Sequence, residues 1–186
     1  EKIGFIISLN EDGTVANVID WREGEGKKAR PRLMAVPAAF KRPGVTPRSF
    51  FLWDNSAYVL GVSADEAKDA SARHAAFKDL HFQNIANDAD AGLLAVRRFL
   101  ESWTPEKFTS ESWCQDIKDQ NIVFALEYER RDRLIHERPA ARALWSRIYD
   151  RVERSKAVCL VTGEEAPFDL THVAIKGVWG GQPAGA

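Results

Sequence analysis

Apolar and polar residues alternate at the start of the chain, where Ile3, Phe5, Ile7 and Leu9 fall on one side of an extended segment from Lys2 to Leu9. Asn10-Glu11-Asp12-Gly13 supplies turn chemistry before a second extended run, Thr14 to Trp21, so the opening predicts a β-hairpin. A polar, glycine-bearing stretch from Arg22 to Gly26 leads to Arg32-Leu33-Met34-Ala35-Val36, a short returning strand that Pro37 ends. Pro43-Gly44 and Pro47 prevent regular structure until Phe50-Phe51-Leu52-Trp53, a run apolar enough either for burial or for an aromatic platform.

The period then changes. Ser63-Ala64-Asp65-Glu66 has the form of a capping box and predicts a helix from there to about Ile85, with Ala67, Ala70, Phe77, Leu80 and Ile85 inward. A second helix, from near Ala89 to Trp103, places Leu93, Val96, Leu100 and Trp103 on one face, and Thr104-Pro105 stops it. A short third helix follows from Pro105. Ile122, Phe124, Leu126 and Tyr128 alternate as a strand for which Leu134-Ile135 is the expected hairpin partner. Pro139 suits the first turn of a helix with Leu144, Trp145, Ile148 and Val152 inward and Arg147, Arg151 and Arg154 outward. Ala157 to Val161 reads as a short strand, and a loop-rich tail, glycine-rich from about 176 to 186, closes the chain. The expectation is one α+β domain over 1–186, with an antiparallel or mixed sheet, a central group of helices and a loop-rich carboxy-terminal segment.

Composition narrows the function classes. The 186 residues are 45% hydrophobic and 28% charged, enough to bury a core, and no apolar run reaches membrane-spanning length. Two cysteines, Cys114 and Cys159, make neither a disulfide framework nor a zinc quartet, so a reducing cytoplasmic setting is expected. Net charge is −1, yet Lys27, Lys28, Arg30, Arg32, Lys41, Arg42 and Arg48 occupy a stretch without one acid. A local basic surface on an acidic body directs a polyanion to one place. The chain opens without an initiator methionine or a leader and is expected to be part of a longer polypeptide.

No active site is expected. His74, His81, His136 and His172 lack a second ligand at metal spacing, and Cys159 with His172 leaves a tetrahedral ion half-coordinated. Lys176 before Gly177-Val178-Trp179-Gly180-Gly181 lacks the residue order of a phosphate-binding loop. Asp54, Glu164, Glu165 and Asp169 could in principle hold magnesium for a nuclease, but turn acids are ordinarily solvated. No cofactor is therefore expected. DNA binding has better material: Lys41, Arg42 and Arg48 in a stiffened loop suit phosphates, and Asn55, just beyond, carries an amide able to read a base edge. The alternative for the same residues is a solvated rim with Asn55 capping a turn.

Four blocks then point to a family: Phe51 to Gly61 (FLWDNSAYVLG), Asp119 to Phe124 (DQNIVF), Arg138 to Trp145 (RPAARALW), and Cys159 to Pro167 followed by Ala174 to Val178. In this order they closely resemble the large subunit of the type I-C CRISPR Cascade complex. The resemblance spans nearly the whole chain, and members of the family are several times longer, so the chain is expected to be an amino-terminal fragment. It implies a non-catalytic subunit that grips double-stranded target DNA, reads a protospacer-adjacent motif and helps open the strands. The implied partners are the crRNA-containing Cascade complex, its backbone subunits and a helicase-nuclease, with no membrane. Guide pairing reads the long sequence in such systems, and protein reads only the short flanking motif. Carried onto this chain, Asn55 is the first choice for a base contact, and Lys27, Lys28, Arg30, Arg32, Lys41, Arg42 and Arg48 are the phosphate candidates. Lys176 and Gln182 follow, in a glycine-rich block able to enter a groove. The sequence departs from the family at Trp179 and at Pro183-Ala184. A scaffold that only contacts other subunits is the competing reading, and a metal-dependent nuclease the least favoured.

Overall fold

The computed structural model describes residues 1–39, 42, 46–65, 69–86, 90–109, 113–150, 156–158 and 162–167. The chain divides into two units, Glu1–Ser146 and Arg147–Ala186.

In the first unit, the opening apolar run is split by Gly4 into β1 (Lys2–Ile3) and β2 (Phe5–Leu9). A side chain at Gly4 would approach Gln120 Oε1 to 2.7 Å, so the break sits where the backbone meets a neighbouring loop. β2 pairs antiparallel with β3 (Val15–Asp20), forming the expected hairpin with a register shift at Ser8/Leu9. Gly13, at φ +86°, closes its turn by donating to the Asn10 carbonyl at 2.9 Å. β4 (Arg32–Leu33) returns beside β1, setting Lys2 opposite Leu33 and Ile3 opposite Arg32.

β5 (Trp53–Asn55) runs into α1 (Ser56–Val59), and α2 (Ala70–Asn84) and α3 (Ala91–Ser102) follow. The second helix starts later than the capping-box pattern predicts. Ser63 Oγ donates to Asp119 Oδ1 at 2.8 Å, and Asp69 caps instead by accepting from the Ala72 amide at 2.9 Å. Glu66 and Ala67 lie outside the described residues. The buried residues of α2 are His74, Phe77 and His81, so two histidines take places in its apolar stripe and Leu80 is only half-buried. α3 follows expectation, with Leu93, Val96, Leu100 and the terminal Trp103 all buried. The segment after it is a 3-10 turn, Pro105–Thr109.

β6 (Asn121–Leu126) pairs parallel with β2 and antiparallel with β5, giving a mixed sheet of order β3-β2-β6-β5. Both edges of β6 are thereby occupied, which leaves no place for the expected hairpin partner: Leu134 leads instead into a 3-10 turn, Ile135–Glu137. The strand also ends at Leu126 rather than Tyr128, because Glu127–Glu129 coils into another 3-10 turn.

Being central, β2 is buried on both faces, which simple alternation does not predict. One face sends Phe124 against Phe77 and Phe99, at ring separations of 6.4 and 5.8 Å. The other gathers Ile3, Ile6, Trp53, Val123 and Ala125 beneath Ile19, Met34, Val36 and Leu134. Ile3 therefore belongs with Ile6, not with Phe5 and Ile7, because the break at Gly4 resets the alternation. α4 (Pro139–Asp150) begins in this unit, burying Ala141 and Leu144 and stacking Trp145 on Phe51 at 5.9 Å.

In the second unit, β7 (Lys156–Val158) and β8 (Glu165–Pro167) form an antiparallel pair with Ala157 opposite Ala166. Arg151, Val152, Arg154 and the tail from 168 onward lie outside the described residues. Among the described residues, no helix is long and apolar enough to cross a membrane.

Candidate nucleic-acid interface

The acid-free basic stretch is divided by the fold into two parts with different surroundings. In the first, Glu23 and Arg30 exchange backbone hydrogen bonds at 2.8 Å, closing a small loop around the 3-10 turn Gly26–Lys28. Gly24 and Gly26 take positive φ of 92° and 54°, which lets the chain reverse this tightly. Lys28, Arg30 and Arg32 are all exposed. The Arg32 guanidinium lies 5.1 Å from the centroid of the Trp21 ring, which is 36% exposed. Beside it, Leu33 is 82% exposed and faces Lys2 across the β1–β4 ribbon. Lys2 and Trp21 are not among the sequence-based candidates. The outward position of Lys2 in the strand alternation, and a tryptophan at a strand end just ahead of a basic run, are the signals that mark them.

In the second part, Arg42 is turned inward. Arg42, expected to hold a phosphate, instead pairs through Nη2 with Asp54 and donates from Nε to the Arg48 carbonyl at 2.7 Å. Its guanidinium lies 3.9 Å from the Phe50 ring centroid and 4.1 Å from that of Tyr58. A cation held between two rings and a buried carboxylate is committed mainly to internal bonds, and its side chain is 29% exposed. Asp54 is 1% exposed and also accepts from the amides of Phe50 at 2.9 Å and Asn55 at 2.7 Å. Burial pushes its carboxyl up, against the pull of Arg42 and of these amides.

Asn55 sits at the head of α1, where its Oδ1 accepts from the Ala57 amide at 3.0 Å. Its acceptor is thus used as a helix cap, and the carboxamide nitrogen is the part left for any other contact. Arg48 is exposed. Lys41, Lys176 and Gln182 lie outside the described residues, as does the side chain of Lys27. The structure therefore leaves Lys28, Arg30 and Arg32 exposed along one closed loop and the ribbon that follows it, and assigns Arg42 and the Asn55 oxygen to internal bonds.

The aromatic run Phe50 to Trp53 is built into the core rather than offered as a platform: Phe51 and Leu52 are 0% exposed and Trp53 is 2%. Leu52 takes a φ of 61°, costly for a branched residue. His81 holds it there. Its Nε2 accepts from the Leu52 amide at 3.0 Å, while Nδ1 donates to the Phe77 carbonyl at 2.7 Å, fixing a neutral ring. Burial pushes the His81 pKa down to about 4.

The other described histidines are also committed to the interior. His74 bonds the Tyr58 carbonyl at 2.8 Å and His136 the Ala35 carbonyl at 3.0 Å, and burial lowers the pKa of each. Among the described residues, no three His, Cys, Asp or Glu side chains are grouped to hold a metal ion. Glu164 is exposed in a turn and Cys114 carries an exposed free thiol. Asp169, Cys159, His172 and the block Gly177 to Gly181 with Trp179 lie outside the described residues.

No curated protein matches the chain. The model of one protein family, CRISPR-associated protein (Cas_Csd1), matches residues 1–186, its entire length. The Trp53-Asp54-Asn55 strand, the Asp119 to Phe124 segment beside it and the start of α4, which the family resemblance singles out, meet in one unit of this fold. The chain belongs to the CRISPR-associated Csd1 family, the large subunit of the type I-C Cascade.

Proposed function

We propose that this chain is a non-catalytic DNA-binding part of the Cascade large subunit, which grips target duplex beside the guide-paired sequence and takes part in reading the protospacer-adjacent motif. The observation that carries the reading is the exposed trio Lys28, Arg30 and Arg32, held on a closed loop and ribbon within a chain of net charge −1. Cations on a braced backbone bind phosphates with little ordering cost, and phosphate contacts set register on a duplex. Opening of the strands, recruitment of a helicase-nuclease and a cytoplasmic setting follow from the same reading, and no reaction is assigned to the chain itself.

The test is a titration of duplex DNA with the purified chain and with a Lys28→Ala/Arg30→Ala/Arg32→Ala variant. The variant binds all sequences more weakly, and its log–log salt slope is shallower by about 0.9 for each phosphate that the chain no longer neutralises. An unaltered slope refutes phosphate binding by this loop. A second reading, a subunit-docking scaffold, is favoured by two exposed apolar groups, Leu33 on the ribbon and Trp21 against Arg32. It predicts that Leu33→Asp blocks assembly into Cascade while leaving duplex binding by the chain intact.

A further inference from the structure

The turn after β6 reads Glu127-Tyr128-Glu129-Arg130-Arg131-Asp132-Arg133, three acids against three arginines, which would cancel if all faced solvent. The fold removes the cancellation selectively. Glu127 accepts from the Ser8 hydroxyl at 2.5 Å and pairs with Arg130 at 3.1 Å, and Ser8 itself is 0% exposed on β2. Glu129 is tied to Arg138, whose Nε and Nη2 also hold Asp90 at 2.7 and 2.8 Å. Arg131 and Arg133 are exposed, and their side chains pair with no other described residue. Of the three acids in the turn, Glu127 and Glu129 are half-buried and Asp132 is exposed.

The backbone beneath these groups is braced. The amides of Asp132 and Arg133 both donate to the Glu129 carbonyl, at 2.9 and 3.0 Å, above the 3-10 turn Glu127–Glu129. From it the Tyr128 ring projects, 63% exposed. A large ring held in water on a fixed backbone, in the same turn as two exposed guanidinium groups that pair with no other described residue, combines a stacking face with phosphate donors.

We propose that Tyr128, Arg131 and Arg133 form a contact for single-stranded nucleic acid, the tyrosine stacking on one base and the arginines holding adjacent phosphates. A duplex keeps its base faces stacked inside, so an isolated exposed ring finds a face only on an unpaired strand. The residues that flank the ring along the turn, Glu127 and Glu129 to Arg133, are all charged, unlike the apolar centre of a protein interface. The contact is separate from the basic ribbon. Trp21 donates its amide to Gly4 at the start of β2, whereas Tyr128 follows Leu126, which pairs with Leu9 at that strand's far end.

Labelled oligo(dT), oligo(rU) and a duplex of the same length, each titrated with the purified chain, test this. Tyr128→Ala is expected to weaken single-strand binding about ten-fold, while Tyr128→Phe, which keeps the ring, preserves it. Arg131→Ala/Arg133→Ala is expected to flatten the single-strand salt slope by about 1.4, with duplex binding little changed. The two oligonucleotides distinguish a DNA from an RNA strand as the natural occupant. Single-strand binding unaltered in both Tyr128→Ala and the double arginine variant overturns the proposal, as does failure of the wild-type chain to bind either oligonucleotide. Loss of duplex binding in the ribbon variant alone bears on the ribbon and leaves this contact standing.

Discussion

Arg30 and Arg42 belong to the same acid-free stretch of sequence, and the surroundings that the fold gives them differ in every respect. Arg30 projects from a loop closed by its own backbone bridge to Glu23 and is exposed. Arg42 is enclosed by Phe50, Tyr58 and the buried Asp54, and helps fix the Phe50 to Asn55 turn. The distinction lies in what stands nearby: aromatic rings and a desolvated carboxylate satisfy a guanidinium, whereas turn glycines and exposed backbone leave it to the solvent. A basic run thus contains two kinds of cation, one for building and one for binding.

The contrast breaks hardest at Asp54. Replacing it with alanine leaves Arg42 without its carboxylate and the Phe50 amide without an acceptor, and the expected loss in a denaturant titration is about 3 kcal/mol. A comparable loss with a Lys28→Ala/Arg30→Ala pair would erase the distinction.

Acid sharpens the same comparison through His81. Its folded-state pKa, about 4, lies below the ordinary value of 6.5, so the unfolded chain binds a proton that the folded chain refuses. Stability is fully present above pH 6.5 and is lost as pH falls toward 4. The span corresponds to roughly 3 kcal/mol, and the lowered values of His74 and His136 act in the same direction. Unfolding followed across this pH range shows the slope, and a His81→Gln variant shows a flatter one.

Asn55→Ala is expected to cost about 1 kcal/mol, the worth of a helix cap, in thermal or chemical unfolding. In assembled Cascade it also separates capping from base reading: an unchanged motif preference confines Asn55 to the cap. The smallest effect belongs to the ribbon. Lys28→Ala and Arg30→Ala are expected to shift stability by less than about 0.5 kcal/mol while weakening duplex binding, so affinity and stability move independently there and together around Asp54.

Several elements are legible from residue pattern alone. The hairpin of β2 and β3 follows from alternation flanking Asn10 to Gly13, and the inward face of α3 from the spacing of Leu93, Val96 and Leu100. The family, too, is legible from short blocks of sequence. The start of α2 is not, because Ser63 fits a capping pattern equally well as a hydroxyl bonded to Asp119, a partner distant in the chain. The alternation of Ile3 with Phe5 misleads for a related reason: the break falls at Gly4, whose close neighbour is Gln120, a residue distant in the chain.

Sequence by itself determined which segments extend, which coil, and where positive charge accumulates, because propensity and periodicity act between residues close along the chain. Tertiary structure alone decided which charges remain available. Asp54 reaches Arg42, Ser8 reaches Glu127 and Arg138 reaches Asp90 only when strands and helices are assembled, and each such pairing withdraws a charge from the surface. What faces the solvent is the remainder after these long-range pairings, and no local pattern encodes a remainder.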